Sequence, residues 1–161
     1  MISILDIEAS GFGPQSYPIE IGVVTKDNER YCALIKPFDD WSHWDQSAEV
    51  LHGISRDILK DRGTPAQEVC FSLNQLLSNS TVYCDAWTHD SLWLRVLFYR
   101  SAIRPTFTLS AIEYVAKEEQ LMIWDGTKKS VIEKLKLDRH RASYDAMVIQ
   151  KTFEQTRKLI A

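Results

Sequence analysis

The chain has 161 residues, with 45% hydrophobic and 25% charged side chains, which are ordinary values for a soluble globular protein. The formal net charge of −3 argues against a protein that holds nucleic acid by bulk positive charge, but not against one that uses metal ions and a local basic patch. No stretch approaches the ~20 apolar residues of a membrane span, and strand-like sequence starts at residue 2. We therefore expect one cytoplasmic domain over residues 1–161, with no membrane contact.

The cysteines give a second indication of the compartment. Cys32, Cys70 and Cys84 are odd in number and lack the paired spacing of a metal site. We expect them to be reduced and mostly buried, as in an intracellular protein.

The first third of the chain predicts a three-stranded β-meander. A short apolar run from residue 2 ends in Asp6-Ile7-Glu8, and a Gly/Pro-rich turn over residues 10–14 follows directly. Residues 17–25 alternate as a strand with one better-buried face, and residues 30–36 form a third strand that ends before a proline.

The next segment predicts an irregular loop and short helical turns. The loop covers residues 38–47, and its Trp41 and Trp44 either cover the core or stack on bases; if exposed, they mark a substrate or dimer surface. Ser47 is expected to cap a short helix through residue 51, and residues 55–57 restart a turn.

Helices and strands alternate in the remainder of the chain. The pattern predicts a helix from 64 to 77, a strand over 81–84, a helix from about 90 to 102, a strand over 107–109, a helix capped by Ser110, a turn at 125–126, and helices over 128–135 and about 143–159. This order predicts an α/β fold with a mixed five-stranded sheet flanked by helices.

Four carboxylates fall at strand tips and helix starts. Asp6 and Glu8 lie two residues apart on one strand and so point to the same face. Asp90 opens the helix after the fourth strand, and Asp145 lies in the first turn of the last helix. If the first and fourth strands are neighbours, these acids gather at one edge of the sheet. Such a cluster stays ionised only with a cation present, which predicts a hard divalent metal.

A histidine lies close to the last of these acids. His140 is five residues before Asp145, just outside the predicted helix. From there the imidazole can lean over the carboxylates, and a neutral imidazole has the right pKa range to act as a base.

Three short motifs now occur in order along the chain. They are D-I-E in the first strand, an aspartate at the start of a helix after a later strand, and H-x-A-x-x-D-A over residues 140–146, with H-G-I at 52–54 between the first two. Together they resemble the motifs of the DnaQ-like, DEDDh-type 3′–5′ exonucleases, a family with an RNase H-like fold. The resemblance covers essentially the whole chain.

The resemblance implies a role for each acid and two divalent ions, Mg²⁺ or Mn²⁺. Asp6 would bind both ions, Glu8 and Asp145 would complete the site of the nucleophilic water, and Asp90 would hold the second ion. His140 would be the general base. The family's tyrosine subtype fits less well, because position 141 is arginine.

The middle motif is the loosest match. Many family members have N-x-x-F-D, whereas this chain has one extra residue and His89 in the aromatic position. We prefer Asp90 over Asp85 as the metal ligand, because the apolar residues downstream fit the expected helix. Asp85 would then contact substrate or cap that helix.

The resemblance also implies contacts with a terminal nucleotide. The residues concerned are Ala9, Ser10, Gly11, Phe12, His52, Asp85, Arg139 and Arg141. Plainer interpretations remain for several of them: Phe12 as simple packing, His52 as a partly buried histidine with satisfied hydrogen bonds, and the two arginines as ordinary surface residues.

The resulting hypothesis is a metal-dependent 3′–5′ exonuclease that acts on the single-stranded 3′ end of DNA or RNA by a two-metal mechanism and releases nucleoside 5′-monophosphates. The alternatives are an RNase H-like endonuclease, which would not need His140, and a non-catalytic binding domain, which would be favoured by a missing acid. DNA or RNA preference and a homodimer are left open.

Overall fold

The computed structural model describes residues 1–136 and 140–161. Within them the elements are β1 (Ser3–Ala9), β2 (Pro18–Val24), β3 (Arg30–Leu34), α1 (Gln46–His52), α2 (Arg56–Arg62), α3 (Ala66–Leu77), β4 (Thr81–Cys84), α4 (Trp87–Arg100), β5 (Thr108–Ala111), a 3₁₀ turn (Ile112–Tyr114), α5 (Glu118–Met122), α6 (Trp124–Leu135) and α7 (Ala142–Leu159).

The strands form one mixed sheet in the order β3-β2-β1-β4-β5, so the predicted five-stranded α/β fold is confirmed. The first three strands are the antiparallel meander, and β4 and β5 are added in parallel to β1. Parallel pairing puts the carboxyl ends of β1 and β4 at the same edge of the sheet. That edge is where ligands bind in open α/β sheets.

The two faces of the sheet carry separate apolar clusters. The larger cluster joins the odd-numbered positions of β1 and β2 to α3 and α4, through Leu5, Ile7, Ile21, Leu73 and Leu97. The smaller one joins the even-numbered positions to α6 and α7, through Ile4, Val24, Trp124, Ile149 and Phe153. Because strand side chains alternate, Asp6 and Glu8 point to the α7 face.

On the α7 face, β2 has no large apolar side chain at its centre. Gly22 stands there instead, opposite Asp6 in the antiparallel register. A Cβ atom at Gly22 would lie 2.2 Å from the amide nitrogen of Ser143 and 2.3 Å from the carbonyl carbon of Ala142. The missing side chain therefore lets the first turn of α7 approach the backbone of the sheet, which brings Asp145 towards β1.

Several predicted element boundaries are wrong, each for a physical reason. Residues 125–126 belong to the first turn of α6, because Trp124, Thr127 and Val131 form one buried face at helical spacing. Ser110 caps no helix, because its backbone lies in β5 opposite Tyr83 of β4.

Two helix starts also differ from the prediction. Asp45, not Ser47, caps α1, and its carboxylate accepts hydrogen bonds from both the amide and the hydroxyl of Ser47. The turn expected over 55–57 is the start of α2, capped by Ser55. The start of α4 lies at Trp87, so Asp90 is in its first turn instead of opening it.

All three cysteines are free, as predicted, but only two of them are buried. Cys70 and Cys84 are buried, whereas Cys32 is exposed because it lies on the edge strand β3. Among the described residues, no helix combines the length and apolar character that crossing a membrane requires.

The close approach at Gly22 gives a stability prediction. Gly22→Ala would force a methyl group against backbone atoms of Ala142 and Ser143, which cannot rotate away. We expect the free energy of unfolding to fall by roughly 2–3 kcal/mol, as for an overpacked core site, measured by urea denaturation.

The matched control is Gly126→Ala, because no atom lies within 4 Å of the Cβ position there and the residue is inside α6. This control is expected to gain about 0.5–1 kcal/mol. Equal stability of Gly22→Ala and the wild type would contradict the described seating of α7.

Candidate active site

Three predicted site residues meet at the edge of the sheet. Glu8 in β1, His140 before α7 and Asp145 in the first turn of α7 each offer one ligand atom, and these atoms lie within 4.8 Å of one another. All three side chains are half-buried. The backbone amide of His140 donates a hydrogen bond of 2.9 Å to Oδ2 of Asp145, which ties the histidine to the helix start.

Asp6 and Asp90 complete the group of acids. Burial, followed by the charges of Asp90, Glu8 and Asp145, raises the pKa of Asp6 well above its ordinary value. Burial and the charge of Asp85 raise the pKa of Asp90 to about 8. Oδ2 of Asp90 is buried without a hydrogen-bond partner. These acids therefore repel one another and leave an oxygen unsatisfied in the absence of a cation.

The charge at the same edge is partly compensated by a lysine. Ile4 lies opposite Tyr83 in the parallel register of β1 and β4, so Cys84, the last residue of β4, is level with Leu5 and the residue after it is level with Asp6. Asp85 follows directly and forms an ion pair with Lys128 of α6. The structure thus gives Asp85 a partner in α6 and puts Asp90, not Asp85, in the first turn of the helix.

The start of α7 is held by a buried carboxylate of β2. Glu20 is fully buried and accepts hydrogen bonds from Nε and Nη2 of Arg141, the shortest of 2.7 Å, and from the amide of Ala142 at 2.9 Å. Glu20 also stands opposite Glu8 in the strand register. A residue of the sheet therefore supplies the N-terminal cap that α7 lacks in its own sequence.

The backbone at His140 has an uncommon conformation. Its φ angle is +61°, in the left-handed region that non-glycine residues seldom adopt and that costs about 1–2 kcal/mol. The amide of His140 is bound to Asp145, and the next residue, Arg141, is bound to Glu20, so the chain is held at His140 and directly after it. Strain of this kind is found at functional sites, where the surrounding structure imposes it.

The turn after β1 packs against the loop that precedes α1. The hydroxyl of Ser10 lies 2.8 Å from Nδ1 of His43, and the Ser10 carbonyl accepts the amide of Asp45. Gly11 has a φ angle of +138°, and a Cβ atom there would lie 2.6 Å from Cβ of Asp45. Glycine is thus required at this position, and its substrate contact stays a prediction.

Phe12 is exposed and lies beside two aromatic rings of α4. Its ring is 5.0 Å from that of His89 and 6.2 Å from that of Trp93, and 66% of the residue is exposed. Phe12 therefore packs against these rings but lies outside the core, and its contact with a terminal nucleotide stays a prediction. The rings of His89 and Trp93 border a cavity of about 490 Å³ that Arg95 and Pro14 also line.

The two loop tryptophans are structural. Trp41 is buried and stacks on Tyr17 with ring centroids 4.8 Å apart, and Trp44 is half-buried and donates a hydrogen bond to Glu49. A base-stacking or dimer surface is therefore excluded for Trp41, whereas Trp44 keeps part of its surface exposed. They cover the core, as one of the two sequence interpretations had it.

His52 is buried, and burial lowers the pKa of its imidazole. Its Nδ1 accepts the amide of Ile54, and its Nε2 has no hydrogen-bond partner. The interpretation as a histidine with satisfied hydrogen bonds is thus only half correct. Ala9 is buried at the end of β1.

Of the two arginines that flank His140, only Arg141 lies within the described residues. Arg141 is committed to Glu20, so it is not an ordinary surface residue, and its phosphate contact stays a prediction. Arg139 lies outside the described residues.

The sequence analysis missed Glu20, Gly22, His43 and Lys128. A signal was present for the first two, because a glutamate and a glycine share one face of an otherwise apolar strand. No local pattern marks His43 or Lys128, since their partners are 33 and 43 residues away.

Comparisons by sequence give no assignment. No protein-family model matches the chain, and no curated protein matches it.

Solved exonuclease structures match the fold. E. coli Exonuclease I with a 5cy-dT13 oligonucleotide has a TM-score of 0.73 and 15% identity over 99% of this chain and 41% of that chain. The same enzyme with a dA16 oligonucleotide has a TM-score of 0.69 and 14% identity, over 99% of this chain and 42% of that chain. Exonuclease I from Methylocaldum szegediense has a TM-score of 0.59 and 17% identity, over 77% of this chain and 30% of that chain.

The chain thus spans about two fifths of the length of the E. coli structures it matches. At these identities the likeness shows the fold, and at that level the predicted resemblance to exonucleases is confirmed. The fold is the RNase H-like fold of these exonuclease structures.

The raised pKa of Asp90 gives a pH prediction. A carboxyl with a folded pKa of about 8 and an unfolded pKa near ~3.9 binds its proton more tightly in the folded chain. Its contribution to stability is therefore present at low pH and is lost as pH rises between these two values. In EDTA, the unfolding temperature of Asp90→Asn should rise relative to wild type from pH ~4 to ~8.

Asp61→Asn on the exposed side of α2 is the control, and it should follow the wild-type curve across the same range. Parallel curves for Asp90→Asn and the wild type would contradict the described environment of Asp90.

The Glu20–Arg141 pair gives a second prediction. Arg141→Met leaves a buried carboxylate without its counter-charge, so we expect the free energy of unfolding to fall by roughly 2–4 kcal/mol. The loss is below that of a fully buried pair because the Arg141 side chain is 43% exposed. Arg100→Met, which breaks the more exposed pair with Asp40, should cost clearly less than Arg141→Met.

The double variant Glu20→Gln/Arg141→Met removes both charges. It should be more stable than Arg141→Met alone in chemical denaturation. A double variant as unstable as the sum of the two single variants would show that the pair does not act as a unit.

Proposed function

We propose that the chain is a metal-dependent nuclease that hydrolyses phosphodiester bonds from the 3′ end of a single strand and releases nucleoside 5′-monophosphates. The observation that carries the proposal is the convergence of Glu8, His140 and Asp145, with ligand atoms within 4.8 Å, beside the half-buried Asp6 and the buried Asp90. The fold shared with exonuclease structures supports the same conclusion.

The residues at this edge fit a hard divalent cation. The donors are carboxylate oxygens, with Oδ2 of Asp90 buried and unpartnered, and Asp6 has a pKa raised by the neighbouring charges. We propose that Asp6, Glu8, Asp90 and Asp145 hold two such ions, Mg²⁺ or Mn²⁺. When bound, the ions supply charge neutralisation and Lewis-acid stabilisation of the phosphate oxygens.

His140 is proposed as the general base. Its side chain is half-buried and lies beside Glu8 and Asp145, so the imidazole is within reach of a water molecule between these groups. The imidazole of His140 takes a proton from the water, whose oxygen attacks phosphorus; the bond to the 3′ oxygen breaks, and the leaving oxygen takes up a proton from solvent. The hydrogen bond from the His140 amide to Asp145 keeps the base next to the acids during this step.

The proposed substrate is an unpaired 3′ end. The E. coli Exonuclease I structures with the same fold contain dA16 and 5cy-dT13 oligonucleotides. In this chain, the exposed Phe12 and the neighbouring His89 provide ring faces on which an unpaired base can stack. Ala9, Ser10, Gly11 and His52 would line the other side of the terminal nucleotide, and Asp85, Arg139 and Arg141 would contact it further out.

His140 also separates the proposal from its main rival. An RNase H-like endonuclease would gather acids on the same kind of sheet without needing a base at this position. The proximity of His140 to Glu8 and Asp145 favours the histidine-assisted exonuclease.

The proposal is tested with 5′-labelled single-stranded DNA and RNA oligomers, digested with Mn²⁺ or Mg²⁺ and then with EDTA. We expect a ladder that shortens from the 3′ end and disappears with EDTA. His140→Ala and Asp145→Asn should each lower the rate by roughly 10²–10⁴-fold, because each loses a group that acts on the reacting atoms.

Asp125→Asn, an exposed acid on α6, is the matched control and should keep the wild-type rate. Internal cuts would favour the endonuclease instead. Retained activity in both His140→Ala and Asp145→Asn would refute the assignment of the site.

A further inference from the structure

The ion pair between Lys128 and Asp85 is not part of the predicted catalytic set. Asp85 follows the last residue of β4, and its side chain is 16% exposed. The side chain of Lys128 is 27% exposed, so the pair is shielded from solvent more than the Arg100–Asp40 pair on the surface, where the corresponding exposures are 32% and 67%. A pair of this kind is screened less by salt and has a stronger effect on nearby charges.

The position of Lys128 is fixed by the packing of α6. Thr127, directly before it, and Val131, one turn after it, are both buried, on a helix that packs against α7. Trp124 anchors the start of the same helix in the smaller apolar cluster. The ammonium group therefore reaches the acidic edge from a rigid helix.

The charge of Asp85 acts on the proposed metal ligands. The parallel register of Ser3 with Val82 and of Ile4 with Tyr83, continued along both strands, puts Asp85 level with Asp6, and the ion pair with Lys128 holds Asp85 at that edge. A cation bound to Asp85 therefore offsets part of the negative potential at the acids. The affinity of a carboxylate site for divalent ions depends on its total ligand charge.

We propose that Lys128 is a built-in counter-ion of the acidic edge: by pairing with Asp85 it stabilises the metal-free chain and lowers the affinity of the carboxylates for divalent metal. Lys128 is thus a positioning and charge-balancing residue, and it touches neither metal nor substrate. The inference rests on the proposed metal-dependent function. It adds that the Lys128–Asp85 pair determines the metal concentration at which the site is occupied.

The inference predicts a change in metal affinity that needs no nuclease assay. Mn²⁺ is titrated calorimetrically into the wild-type chain and into Lys128→Met, Lys128→Arg and Lys129→Met, at one fixed, mildly alkaline pH. Lys128→Met should bind Mn²⁺ roughly threefold to tenfold more tightly, because a positive charge near the site is gone. In EDTA the same variant should unfold about 2–4 °C below wild type, because the acids lose their counter-charge.

Lys128→Arg keeps the charge and should bind Mn²⁺ as the wild type does. Lys129→Met removes a charge from the exposed neighbouring position of the same helix and should also leave the dissociation constant unchanged. If Lys128→Met is poorly folded, Lys128→Gln takes its place, since it keeps a polar end and a similar length.

Asp85→Asn distinguishes the effect of losing the acid of the pair from the effect of losing the lysine. It should weaken Mn²⁺ binding, because it removes a negative charge and leaves Lys128 in place. Equal Mn²⁺ affinity in wild type and Lys128→Met would overturn the inference while leaving the proposed function intact. Absence of Mn²⁺ binding in the wild type would contradict the proposed function, and the inference with it.

Discussion

The site depends on one buried carboxylate that does not belong to it. Glu20 is fully buried in β2, where it neutralises Arg141 and caps the amide of Ala142 at the start of α7. Gly22, two residues further on the same face, leaves the space that this helix start occupies. Because Asp145 and His140 are attached to that start, the Glu20 contacts determine whether they meet the acids of β1.

Bringing these acids together is unfavourable until a cation is present. Asp6 and Asp90 both have raised pKa values because burial and neighbouring charges disfavour their ionised forms. The fold tolerates this because two apolar clusters and the Glu20–Arg141 pair hold the elements that carry them. The site therefore has the character of a preorganised anionic pocket, whose cost in stability the proposed divalent ion would recover on binding.

Much of the fold could be predicted from the sequence, because it depends on local patterns. Alternation in the meander and helical spacing after residue 64 lead to the observed five-stranded sheet, and the spacing of Asp6, Glu8 and Asp145 indicates their convergence. Glu20 could not be assigned, since its partner Arg141 is 121 residues away and alternation alone suggests a solvent-facing position. The same limit applies to Lys128, whose pairing with Asp85 arises from the packing of α6 on α7.

The most direct test of this account is anomalous diffraction from crystals grown with Mn²⁺. The account predicts a manganese peak within bonding distance of Asp6, with further ligands from Glu8, Asp145 or Asp90. A well-ordered structure at saturating Mn²⁺ without a peak at these carboxylates would contradict it, because the convergence of acids would then serve some purpose other than metal binding.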